Sequence, residues 1–162
     1  MATNSKVTED PDFEPEFVAK LKELCDERIP FNRELGLQLV YVNALGVKGR
    51  IDMRPELIGQ ALHKRLHGGV ISAGLDAMGG IAVMAALGAR HMDEAPAERI
   101  LRFGRLGTID LRIDFLRPAT GGHFELSANV SRLGSRVATA QMEFFREDGT
   151  LLASGAGSYV IS

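Results

Sequence analysis

The sequence predicts an α+β fold in which a curved antiparallel sheet wraps around one long central helix. Three observations carry that expectation. The segment from Gly68 to Ala89, GGVISAGLDAMGGIAVMAALGA, is apolar or small at every position except Asp76. A helix that is apolar all round must be covered by other elements. The C-terminal half alternates with period two between turn signals, as strands with one buried face do. Turns as short as Glu147-Asp148-Gly149 join antiparallel neighbours, and such a sheet is the natural cover for the helix.

The elements follow in chain order. Residues 1–13 read as a disordered tail, and residues 14–162 as a single domain. Between Glu14 and Arg28, Phe17, Val18, Leu21 and Leu24 form an apolar stripe at helical spacing, and Pro30 is expected to end that helix. Strands are expected over Leu37 to Asn43 and Val47 to Met53, with a turn at Gly46. Arg54 to Leu66 reads as a connection, and the long helix follows. Gly88 to Gly107 reads as a mobile polar loop. Thr108 to Leu116 then places Ile109, Leu111, Ile113 and Phe115 on one face and Asp110, Arg112 and Asp114 on the other. Three further strands are expected: one marked by Phe124, Leu126, Ala128 and Val130, one over Arg136 to Arg146, and one over Thr150 to Ile161.

Composition narrows the function classes. Of the 162 residues, 45% are hydrophobic, enough for a real core. A net charge of −2 gives no whole-chain attraction to nucleic acid or to an anionic membrane. The single cysteine, Cys25, rules out an intrachain disulfide and fits a reducing compartment. The acidic N-terminus lacks the apolar core of a signal peptide, so a cytoplasmic protein is expected. Residues 68–89 are long enough to span a bilayer, but glycines, a central carboxylate and the lack of aromatic anchors argue for a buried helix instead.

Asp76 is the feature that points to chemistry. A lone carboxylate in apolar surroundings loses hydration and needs compensation. Eight residues earlier, Gly68 and Gly69 open the helix, where free N–H groups and the positive dipole end can polarise a carbonyl. Asp76 shares a helical face with Gly69, Ser72, Gly79, Gly80 and Val83, a channel of small side chains. A carboxylate there can act as general base on water or attack a carbonyl directly. Simpler roles stand beside these. Asp76 could pair with an arginine, and His67 could orient the loop rather than act as a base. The Ser72 hydroxyl could satisfy only backbone, Gly79-Gly80 could permit close packing, and His91 could be solvated.

The segments LHGGVISAGLDAMGG, TIDLRIDFLRPATGG and SRLGSRVATAQMEFFREDGTLLASGAGSYVI resemble the hotdog-fold acyl-CoA thioesterases, and within them the PaaI/YigI-like group. The resemblance covers residues 35 to 161 or so. It implies a hydrolase of acyl-CoA thioesters with medium, long or aromatic acyl groups, working as a homodimer or as a homotetramer built from two dimers. It matches Asp76 to the catalytic acid and Gly68 to the donor that polarises the carbonyl. It places a hydroxyl, here Thr108, on the partner subunit beside that acid. Where some relatives hold the water with an asparagine, this chain has Ala61, and Gln60 and His63 are the nearby substitutes.

The same resemblance implies no metal and no cofactor, since coenzyme A belongs to the substrate. Its phosphates need cations. Arg117, Arg132 and Arg136 stand at strand ends and turns that contact the nucleotide in the family, with Arg99, Arg102 and Arg105 as further candidates. Leu66, Val83 and Leu87 are the expected acyl contacts. The alternative is a hotdog protein that binds acyl-CoA without cleaving it. Hotdog dehydratases use a histidine and an acid in a different arrangement, which this sequence lacks.

Overall fold

The computed structural model describes residues 13–162. Helix α1 (Pro15–Glu23) runs through one π-helical turn, Leu24–Arg28, toward α2 (Pro30–Leu35). Pro30 therefore opens a second helix as well as ending the first. Its missing N–H and fixed φ suit a first helical position. Gly36, left-handed at φ 69°, closes α2. Strands β1 (Leu37–Val42) and β2 (Val47–Asp52) form a hairpin, and β3 (Ile58–Gln60) and β4 (Arg65–Leu66) a second, smaller one. The long helix is α3 (Gly68–Arg90). After α4 (Pro96–Leu101) come β5 (Gly107–Phe115), β6 (His123–Leu133), β7 (Val137–Arg146) and β8 (Leu151–Val160).

The main sheet has six strands in the order β1-β2-β6-β7-β8-β5, all neighbours antiparallel. This is the hotdog arrangement expected from the sequence. Its inner face presents Ile51, Phe124, Leu126, Met142 and Phe144, which pack against Leu75, Met78, Ile81 and Val83 of α3. Helix α3 meets the length and composition of a membrane span, but 78% of its most apolar window is buried in the fold.

Two expectations fail here for physical reasons. The stretch from Gly88 to Gly107 is not a mobile loop. Pro96 starts α4, the Glu98 carboxylate accepts from the Ala95 N–H at 3.2 Å, and a 3-10 turn, Arg102–Arg105, leads into β5. Arg99 is fully buried, its guanidinium 4.4 Å from the Phe17 ring centroid. It donates to Glu14 at 2.6 Å and to the Gly88 carbonyl at 3.3 Å, and so ties α1 to the end of α3. In β5 the alternation breaks at a bulge between Thr108 and Asp110. Ile109 and Phe115 are each 56% exposed, because an edge strand lacks a neighbour to cover them. The expected tail lies outside the described residues except Phe13, which is buried against Phe17 with ring centroids 4.7 Å apart.

Candidate active site

The start of α3 leaves one backbone donor free. Of the first four N–H groups, Gly69 donates to Nδ1 of His67 at 2.8 Å, while Val70 and Ile71 donate to the His67 carbonyl at 2.9 and 3.4 Å. Among the described residues nothing accepts from the Gly68 N–H. His67 thus caps the helix through its ring nitrogen and leaves Gly68 as the outward donor. Phe115, at the end of β5, lies close to Gly68: a Cβ there would sit 3.4 Å from its ring.

Asp76 stands two turns further along α3. It is half-buried rather than sealed, and lies with Ser72, Ala73 and Ala77 on a helix face that the sheet leaves partly open. Thr108 Oγ1 donates to Asp76 Oδ1 at 2.8 Å. Both residues belong to one chain, which corrects the expectation that the hydroxyl comes from the partner subunit. The reason is topological: β5 pairs with β8 at the sheet edge beside α3, so its first residues fall against the same helix. Tyr159, on β8, also points its hydroxyl at Asp76, 3.2 Å from the main-chain oxygen and 3.4 Å from Oδ1. Among the described residues no lysine or arginine forms an ion pair with Asp76.

The other expected residues divide into open and consumed. Gln60, His63, His67 and Gly69 are exposed around the start of α3, and Ser72 donates its hydroxyl to the Gly68 carbonyl at 3.0 Å. Leu66 is buried, and Val83 is completely buried in the core, so neither lines an open channel in the single chain. Arg117, Arg132 and Arg136 are exposed, with Arg117 also donating to the Leu151 carbonyl at 2.8 Å. Arg90, which the sequence did not single out, donates to the carbonyls of Leu133 and Gly134, both at 2.7 Å, and anchors the turn between Arg132 and Arg136. Arg99 is part of the core and Arg102 is paired with Glu94, so Arg105 is the freest of those three. Among the described residues no three His, Cys, Asp or Glu side chains gather as a metal site.

Tyr159 is the residue that sequence reasoning missed. Its signal lay in its surroundings: Gly157 beside it on β8 and Gly79 opposite it on α3. A Cβ at Gly79 would collide with the phenol oxygen, and one at Gly157 would stand 3.1 Å from it.

Comparison with known proteins agrees with this fold. A family model for the thioesterase superfamily matches residues 63–153. The medium/long-chain acyl-CoA thioesterase YigI of Salmonella typhimurium is 35% identical over 82% of this chain and 86% of its own, and the Escherichia coli protein of that name is 34% identical over the same shares. A Shewanella oneidensis crystal structure described as related to the thioesterase superfamily aligns with a TM-score of 0.85 at 38% identity, covering 93% of this chain and all of that one. With a hotdog sheet around a helix that carries the HGG turn and Asp76, the chain belongs to the thioesterase superfamily.

Proposed function

We propose that the protein hydrolyses medium- or long-chain acyl-CoA thioesters to the free acid and coenzyme A. The observation that carries this reading is Asp76: a half-exposed carboxylate whose Oδ1 is held by a hydroxyl and which, among the described residues, pairs with no cation and has no donor on Oδ2. The two YigI relatives support the substrate class.

The chemistry follows from the groups at hand. Asp76 Oδ2 takes a proton from water as the water oxygen attacks the thioester carbonyl, or attacks that carbon itself and is released by water in a second step. In either route the carbonyl oxygen gains negative charge, which a backbone N–H aimed at it stabilises. Breaking the C–S bond releases the thiolate of coenzyme A. The Gly68 N–H is the free donor, but eight residues of helix separate it from Asp76 by about 12 Å along the axis. One carbonyl cannot touch both within one chain. A homodimer that sets Gly68 of one protomer against Asp76 of the other completes the site, and the bare edge of β5 is where a second copy would join.

Arg117, Arg132 and Arg136 are the cations this reading assigns to the phosphates of the substrate. It calls for no metal and no further cofactor, and the lone buried Cys25 suits a cytoplasmic setting.

The test is turnover of a panel of aliphatic and aromatic acyl-CoA thioesters by the purified protein, with the released thiol measured. Asp76→Asn is expected to lower kcat at least about 100-fold. Equal turnover in the variant sinks the assignment of Asp76. A wild-type protein that binds the thioesters but cleaves none of them is an acyl-CoA binder instead.

A further inference from the structure

We infer that Tyr159 is a positioning residue for Asp76, one of two hydroxyls that hold a single carboxylate oxygen and leave the other free to react. The inference rests on the hydrolase reading above and adds a residue to it. The sheet register places Thr108 of β5 directly opposite Tyr159 of β8. Both hydroxyls reach the same atom, Asp76 Oδ1, at 2.8 and 3.4 Å. Tyr159 also reaches the main-chain oxygen of Asp76 at 3.2 Å, so its single hydroxyl proton is shared between the backbone and the side chain of this residue. Catalytic hydrogen bonds are often long before substrate binds.

The phenol is held in place by its neighbours. Tyr159 is only 1% exposed, and the space for its ring and oxygen exists because positions 79 and 157 carry no side chain. A phenylalanine would fill the same slot with no polar atom to satisfy. A buried hydroxyl costs stability unless it is bonded, so its presence at this depth needs a partner, and that partner is Asp76. Burial raises the phenol's pKa well above its ordinary value, and the neighbouring Asp76 charge adds to the effect. The group therefore stays protonated and serves as a donor. With Thr108 and Tyr159 both donating to Oδ1, the carboxylate plane is fixed, and fixed geometry is what makes a general base or nucleophile efficient.

The experiment is Tyr159→Phe in the full-length protein, assayed beside wild type and Asp76→Asn, with each unfolding midpoint measured by circular dichroism and assays run well below it. Expected for Tyr159→Phe is a fall in kcat of about tenfold with KM for acyl-CoA unchanged within about twofold, the signature of an interaction needed in the transition state. Thr108→Ser keeps its hydroxyl and is expected to retain kcat, while Thr108→Val is expected to lose it. Three results would overturn the inference. They are wild-type kcat in Tyr159→Phe, a loss wholly in KM, or a loss matched by the folded fraction at the assay temperature. If Tyr159→Phe is fully active while Asp76→Asn is dead, the positioning role alone falls. If Asp76→Asn is active, the hydrolase assignment of Asp76 falls with it.

Discussion

On one side the sheet ends at β1, where Asp26 Oδ1 accepts from the Leu39 N–H at 2.7 Å and Lys22 Nζ donates to the Leu39 carbonyl at 2.8 Å. On the other side it ends at β5, nine residues whose outer backbone meets no partner among the described residues. The β1 edge also carries a bulge between Leu39 and Tyr41, and its covering side chains, paired with each other, come from α1 and the π-helical turn. These are standard ways to stop a strand from recruiting another. Both edges carry a bulge and exposed apolar side chains, Val40 and Tyr41 on β1 and Ile109 and Phe115 on β5, but among the described residues no side chain caps the outer backbone of β5 as Asp26 and Lys22 cap that of β1. One edge is closed against association, and the other, which carries Thr108 of the site, is left available for it.

Breaking the open edge should have the largest effect. Ile109→Lys combined with Leu116→Lys places charge where a second β5 would pair. Light scattering is expected to show a monomer that still unfolds cooperatively, with turnover down at least about 100-fold because Gly68 and Asp76 no longer meet. A monomer with full activity would show that one chain suffices.

The closed edge gives a smaller effect of a different kind. Asp26→Ala leaves the Leu39 N–H without its acceptor and is expected to cost about 1–2 kcal/mol in urea unfolding, with kcat unchanged. If Asp26→Ala instead alters the oligomeric state, the side chain serves chiefly to block pairing.

The smallest effect concerns what holds the cover in place. Helix α1 is fastened by the Glu14–Arg99 pair, and the guanidinium keeps the Glu14 carboxyl below its usual range, chiefly by a direct hydrogen bond. A depressed carboxylate contributes stability above its unfolded pKa, about 4.3, and loses it as pH falls through the lower folded value. The midpoint advantage of wild type over Glu14→Gln is therefore expected to be present at pH 7 and to shrink below about pH 4. A gap that persists at pH 2 would assign the stabilisation to packing.

How much of this was legible in the sequence depended on whether a residue's partners were near it in the chain. The central helix showed itself through 22 residues with one charge, and the hairpins through their turn residues, because both signals are local. Asp76 was conspicuous for the same reason. Helix α4 was not. It is six residues long, and its burial depends on Arg99, a residue type that is rarely enclosed without partners, here Phe17, Glu14 and the Gly88 carbonyl. Tyr159 carried no signal of its own within the expected strand from Thr150 to Ile161. Only the register with Thr108 and the contact with α3 show what its hydroxyl meets. The partner-subunit placement of Thr108 came from the family resemblance, and only the long-range pairing that sets β5 beside β8 shows which chain supplies it.

The glycine opposite Tyr159 has a consequence for descent. A Cβ at position 79 and a phenol at position 159 would occupy the same space, so the two positions are not free to vary separately. A lineage that acquires alanine or serine at 79 must shorten or lose the aromatic side chain at 159, and one that keeps the tyrosine must keep the glycine. Aligned relatives should therefore show the pair changing together, a record of the slot that is visible without any assay.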